Sequence, residues 1–262
     1  MDLGLDGKAC VVTGASRGIG LASAAGLAAE GARVLLVGRD ADRLERAAGE
    51  LPGAATAALD VTAPDAGERV VAACEAAFGG IDALVNNAGT SQARALEDLD
   101  DEEWQRQWDL HVMAPMRLMR AAAPRMAERG GGRIVNVSSS AGKRPSGTLD
   151  APYSVTKAAE LSLSRVFADQ WAARGVLVNA VTPGPVEGEL WLERGGLADQ
   201  VAARQGSDRD AVLESVRRRT PRGRMGTEDE IAAVVVFLCS ARASNVVGAA
   251  WSVDGGSVPT IL

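Results

Sequence analysis

The sequence holds one tyrosine, Tyr153, and Lys157 stands four residues beyond it in "APYSVTKAAELS". That spacing projects both side chains from one face of a helix, and Pro152 suits the helix's first turn. Alone, a phenol and an ammonium so placed are an ordinary surface pair. The neighbouring sequence changes that reading. "GRIVNVSSSAG" is a strand that ends in serines, with Ser139 placed 14 residues before Tyr153. Hydroxyl, phenol and ammonium then gather at the carboxyl edge of a sheet, where an open α/β fold binds its ligand.

A second constellation concerns phosphate. "VVTGASRGIG" sets Gly14, Gly18 and Gly20 between a strand and the helical "GLASAAGLAAEG". Gly14 allows a tight turn, Gly18 a close backbone approach to a pyrophosphate, and Gly20 close helix packing. Backbone amides and the helix dipole then hold the phosphates. The next strand ends "VLLVGRD". Sites for NAD usually carry a carboxylate at this strand end. Here the position is Gly38, followed by Arg39, with Arg17 on the same side. Two guanidinium groups favour the 2′-phosphate of NADP(H), while NAD(H) stays possible. Asp40 is the competing carboxylate and reads as the N-cap of "DADRLERAAGEL".

These residues need a frame. Seven short apolar runs alternate with Ala-, Leu-, Glu- and Arg-rich helical stretches: "ACVVTG", "ARVLLVG", "TAALDV", "DALVNNAG", "RIVNVSS", "GVLVNAVTPG" and "AAWSVDGG". Continuous apolar strands are buried on both faces. The expected fold is α/β: a single Rossmann-type doubly wound domain over 1–262, with a seven-stranded, mostly parallel sheet and helices on both faces. Between Pro183 and Thr227 lie two helix-like pieces, "GELWLERGGLADQVAAR" and "SDRDAVLESVRRR", which carry Trp191 and Leu192. This stretch, near 186–222, is either a substrate lid or a surface excursion.

Composition narrows the partners. Hydrophobic residues make up 47% of the 262 and charged ones 24%, as in globular proteins. A net charge of −6 argues against nucleic acid or an anionic membrane as main partner. The longest apolar run, "IAAVVVFLCSA", is too short to span a bilayer. Cys10, Cys74 and Cys239 suit buried reduced thiols rather than a disulfide frame or a zinc site. No signal peptide is legible at the N-terminus, so a soluble, cytoplasmic protein is expected.

Taken in order, the pieces resemble the short-chain dehydrogenase/reductase family over nearly the whole chain. They are "TGASRGIG", "NNAG" at 86–89, the serine-ended strand, "YSVTK", "PG" at Pro183 and Gly184, and "VDGG". The resemblance implies that Tyr153 is the general acid in reduction and the base in oxidation. A free phenol ionises near ~10 and needs help at neutral pH. Lys157 would favour the phenolate and hold ribose hydroxyls, and Ser139 would bond the carbonyl oxygen. The glycine turn would contact the cofactor through Gly14, Ser16, Arg17, Gly18, Ile19 and Gly20, with Arg39 beside it. Asp60 and Val61 would meet the adenine; Asn87, Ala88 and Gly89 the cofactor's middle; Pro183, Gly184 and Val186 the carboxamide. No metal is needed for direct hydride transfer. A homotetramer is implied as well. One departure is Gly188, where the family often has a threonine.

The other departure is His111, the only histidine. It lies in "WQRQWDLHVMAPMRLM", 104–119, which reads as one helix with Trp104, Trp108, Val112, Met113, Met116 and Met119 on its apolar side. The family usually has an asparagine here, whose main-chain carbonyl holds a water that links the lysine to solvent. Three readings stand: the imidazole fills space, it joins the proton relay, or it marks a protein without turnover. Burial and the like charge of Lys157 should lower its folded pKa. The expected activity is NADP(H)-dependent interconversion of a carbonyl and a secondary alcohol through Ser139, Tyr153 and Lys157, with His111 as a further candidate. The motif set is closest to 3-oxoacyl-[acyl-carrier-protein] reductases. An acyl-carrier-bound substrate is possible, with Arg129, Arg133, Arg174, Arg217, Arg218 and Arg219 as a docking patch. A small free ketone, sugar, polyol or natural-product intermediate is equally compatible. The alternative class is a cofactor-binding sensor or scaffold without turnover.

Overall fold

The computed structural model describes residues 1–147 and 149–259. Thr148 and residues 260–262, which the expected single domain includes, lie outside the described residues. In chain order the elements are β1 (Ala9–Thr13), α1 (Gly18–Ala29), β2 (Arg33–Gly38), α2 (Ala41–Gly49), β3 (Ala55–Ala58), α3 (Ala66–Phe78) and β4 (Ala83–Asn86). Then follow α4 (Asp101–Trp108), a π-helical segment (Asp109–Met113), α5 (Ala114–Glu128), β5 (Gly132–Val137), α6 (Ser140–Lys143), α7 (Ala151–Trp171) and β6 (Val176–Pro183). The chain continues through α8 (Glu189–Leu192), α9 (Leu197–Gln205), α10 (Arg209–Arg219), α11 (Glu228–Cys239) and β7 (Ala250–Val253).

The strands form one seven-stranded sheet in the order β3-β2-β1-β4-β5-β6-β7. Every pairing is parallel, so the expected "mostly parallel" becomes wholly parallel. Successive strand residues point to opposite faces, and both faces are apolar. Val12, Leu36 and Val85 pack with Leu27 of α1, Leu44 of α2 and Val235 of α11. Val11, Leu35 and Leu84 pack with Val70 of α3, Leu118 of α5 and Ala168 of α7. Each buried valine or leucine among them stabilises the fold by about 1.5–3 kcal/mol. The strand order reverses between β1 and β4, which opens a crevice beyond their carboxyl ends.

Local signals set the helix boundaries. Arg43 N–H donates to Asp40 Oδ1 (3.0 Å), which makes Asp40 the cap of α2 as expected. Thr227 and Glu230 form a capping box on α11. One expectation fails: 104–119 is not a continuous α-helix, because the π segment divides α4 from α5. Pro115 explains it. A proline has no N–H to offer the carbonyl four residues back, here that of His111, and its ring crowds that carbonyl. The wider π turn relieves the clash and turns His111 and Val112 inward, where both are buried. Segment 186–222 forms α8, α9 and α10 over a small core of Trp191, Leu197, Val201, Leu213 and Met225, against Ala93. Among the described residues no helix is long and apolar enough to cross a membrane.

Candidate active site

The glycine turn is a backbone cradle. Gly14 and Gly18 have φ of 64° and 62°, a region L side chains rarely adopt. A Cβ on Gly20 would lie 2.3 Å from Gly14 O, so only glycine lets α1 start this close to the turn. The "NNAG" loop braces it. Asn87 Nδ2 donates to Thr13 O (2.9 Å), and Thr13 Oγ1 accepts from the N–H groups of Asn87 (3.0 Å) and Ala88 (3.1 Å). Amides and glycines free of side chains fit a pyrophosphate. The turn opens on a cavity of about 1130 Å³ at the carboxyl edge of the sheet. Of the expected site residues, all but Gly20 and His111 line that cavity. Gly20 lies beneath the turn and His111 behind Tyr153.

At the outer end, Arg39 forms part of the wall and makes no ion pair among the described residues. Thr62 N–H (2.9 Å) and its hydroxyl (2.8 Å) bond Asp60 Oδ1. The backbone bond chiefly, then the hydroxyl and the charge of Arg39, hold that carboxyl below its usual range against the effect of burial. Arg17 stands elsewhere than a purely phosphate-facing role would place it. Its guanidinium meets Glu189 (2.5 Å) and Glu193 (3.3 Å) at the start of the 186–222 segment. Gly188, the position often held by threonine, begins that segment. A Cβ there would lie 2.4 Å from Glu228 Oε1, so the carboxylate would have to swing aside.

The inner end carries the hydroxyl, phenol and ammonium. Ser139 caps α6, with Ala141 N–H donating to its Oγ (3.1 Å). The hydroxyl proton of Ser139 is therefore free to point into the cavity. Ser138 donates to Lys157 O (2.8 Å). A Cβ on Gly142 would lie 2.8 Å from the Lys157 carbonyl, so α6 rests directly on α7. Tyr153, half-buried, meets the His111 ring edge-on at 5.4 Å. Lys157 is buried. Its Nζ donates to Val137 O (2.8 Å) and to Glu160 Oε2 (2.9 Å).

His111 is held from both nitrogens. Thr90 N–H donates to Nε2 (3.3 Å), so the proton sits on Nδ1 and is given to Thr156 Oγ1 (3.0 Å). Thr156 in turn donates to Pro152 O (2.7 Å). Burial, then the charge of Lys157, push the imidazole well below its usual range. That agrees with the direction expected from sequence.

Two features were not foreseen. One is Glu160. Its signal was its place three residues after Lys157, on the same helix face. Burial raises its carboxyl above the usual range, and Lys157 opposes this only in part. The other is a polar wall. Ser91, Glu103 and Gln107 line the cavity, with Asp150 buried behind them. Glu103 pairs with Arg94 (2.8 Å) and with Arg106. Burial would raise its carboxyl, yet the bonds from Arg94, Arg106 and Gln107 outweigh it and hold it at about 2. Ser91 donates to Asp150 Oδ1 (3.3 Å), and burial pushes the Asp150 carboxyl up. Gln107 Oε1 and Asp150 Oδ2 have no hydrogen-bond partner among the described residues.

Known proteins share this fold and much of the sequence. The Enoyl-(Acyl carrier protein) reductase family model matches residues 14–258. Galactitol 2-dehydrogenase of Agrobacterium fabrum is 37% identical, covering 97% of this chain and 98% of its own. Gluconate 5-dehydrogenase of Gluconobacter oxydans is 38% identical, covering 96% and 95%. The crystal structure of L-sorbose reductase from Gluconobacter frateurii, complexed with NADPH and L-sorbose, matches with a TM-score of 0.92 at 39% identity over 100% of both chains. The chain belongs to the short-chain dehydrogenase/reductase family. It is an oxidoreductase, and members of its family use NAD(P).

Proposed function

We propose that the protein interconverts a polyhydroxylated ketone, such as a ketose, and its polyol with NADP(H), through Ser139, Tyr153 and Lys157. The observation that carries the substrate class is the polar wall. Ser91, Glu103 and Gln107 bring polar side chains to the cavity wall, which suits hydroxyl groups and would penalise an alkyl chain. The relatives that act on galactitol, gluconate and L-sorbose support it, and an acyl-carrier substrate is the weaker reading.

The cofactor's phosphates are assigned to the turn of Gly14, Ser16, Gly18 and Ile19, and its 2′-phosphate to Arg39, with Arg17 joining once it leaves Glu189. Asp60 and Val61 take the adenine, Asn87 to Gly89 the middle, and Pro183, Gly184 and Val186 the carboxamide. When bound, the nicotinamide supplies or accepts the hydride at the reacting carbon. The protein supplies the rest. Tyr153 gives its phenolic proton to the carbonyl oxygen, which becomes the hydroxyl, and recovers a proton from solvent. Ser139 donates to the same oxygen as negative charge develops there. The buried Lys157 ammonium stabilises the phenolate left on Tyr153. Oxidation runs these steps backwards.

We read the whole chain as one dinucleotide-binding and catalytic unit and as a homotetramer. Buried, unpaired Cys10, Cys74 and Cys239 suit a reducing compartment such as the cytoplasm. The test is NADPH oxidation with ketoses including L-sorbose, simple ketones and an acetoacetyl thioester. Ketoses should react fastest. A faster thioester would overturn the substrate class, and no oxidation with any of them would favour a sensor or scaffold.

A further inference from the structure

Lys157 and Glu160 face each other one helical turn apart, with Nζ to Oε2 at 2.9 Å, and both are at most 3% exposed. A buried pair of opposite charges is expensive to desolvate, and a packed apolar pair commonly serves stability as well or better. The carboxylate therefore calls for an explanation beyond holding α7 in place. The surroundings give one. Glu160 lines a second cavity of about 10 Å³, shared with Thr13, Asn86, Leu110 and Pro115. That is room for about one water molecule. Asn86 is fixed, because its Nδ2 donates to Asn136 Oδ1 (2.7 Å) and Asn136 Nδ2 donates to Ser164 Oγ (2.7 Å). Asn86 Oδ1 is buried without a partner among the described residues. The cavity thus offers a water an acceptor at Asn86 and the carboxylate of Glu160.

We propose that Glu160 is a positioning residue for Lys157: its carboxylate holds the ammonium in one place and offsets its charge, which sets the pH range over which Tyr153 gives and takes a proton. A free ammonium beside Tyr153 would favour the phenolate strongly and leave less of the phenol protonated to serve in reduction. An ammonium paired with a carboxylate favours it less. Other titratable groups are few. Lys157 and Tyr153 lie on α7 itself, and the π segment contributes His111, which senses Lys157. β4 and β5 present Asn86 and Asn136, Ser138 just beyond β5 also bonds Glu160, and α5 presents Ala114, Pro115 and Leu118.

The inference rests on the Ser-Tyr-Lys reading, but its test need not use turnover. Tyr153 is the only tyrosine, so the ultraviolet absorbance of phenolate reports on that residue alone in the ligand-free protein. In Glu160→Gln the phenolate step should move to lower pH by roughly one unit, and the pH–rate profile for oxidation should move with it. Ketone reduction should lose about tenfold in kcat with KM within about twofold, and Glu160→Asp should recover part of that loss. In a Lys157→Met background the same Glu160→Gln change should move the step far less, since its effect passes through the ammonium. That background also removes the unpaired buried charge that could unfold the single variant. A step that stays put in Glu160→Gln, or moves equally in both backgrounds, overturns the proposal. A shift of the expected size, together with normal turnover in Tyr153→Phe, would instead sink the Ser-Tyr-Lys reading and leave the ion-pair effect standing.

Discussion

Thr90 and Thr156 grip the His111 ring by its two nitrogens, one from the "NNAG" loop and one from the helix that carries Tyr153. Passing a proton through that ring would break one of these bonds and charge a buried group beside Lys157. The geometry therefore speaks for bracing rather than relay. His111→Asn should keep turnover within about threefold, with the inflections of its pH–rate profile unmoved. Its stability should change in a definite direction. A base whose folded pKa is lowered stays neutral while the unfolded chain takes up a proton. The native protein then loses up to about 1.4 kcal/mol per pH unit as pH falls below ~6.5. Comparing unfolding at pH 8 and at pH 5, the gap between the two should shrink in His111→Asn. An equal gap would remove His111 from the acid response. At Tyr153, replacement by Phe should remove roughly 10²–10⁴-fold of turnover while cofactor affinity holds. Near-normal turnover there would defeat the assignment. Tyr153, Lys157 and Ser139 were legible because each sits in a local pattern. Glu160 was not, because a glutamate in a helix reads as solvent-facing until the sheet beneath it is known.

At the level of elements, the link between the glycine turn and α8 makes a prediction about selectivity. While Glu189 holds Arg17, that guanidinium is engaged by protein. Glu189→Gln combined with Glu193→Gln should release it and tighten NADPH about two- to fivefold, since exposed ion pairs contribute about 0.2–1 kcal/mol. NADH affinity should stay where it was. Fluorescence titration with both cofactors decides, and an equal gain for the two would place the effect elsewhere. The link joins residues 172 positions apart, which no periodicity announces. The strands, by contrast, were readable as continuous apolar runs because a parallel sheet buries both faces. The π segment had a signal too: Pro115, four residues after His111. Apolar spacing continues through that stretch and hides the break, so only the missing N–H reveals it.

For the whole molecule, the apolar surface supports association. Val155 and Val166 are 48% and 57% exposed, and their separation of eleven residues puts them on one face of α7, with Trp108 of α4 40% exposed. Sedimentation at micromolar concentration should give a tetramer, and Val166→Glu should shift it to smaller species. A wild-type monomer would refute the assembly. The strand order has a consequence of another kind, for synthesis. β2 adds beside β1, and β3 beside β2. β4 then returns to the free side of β1, and β5, β6 and β7 each join the newest edge. A chain emerging from the ribosome therefore never has to force a strand between two that are already paired. At each stage the nascent sheet shows one growing edge to the next strand, which limits how long bare backbone waits for a stray partner.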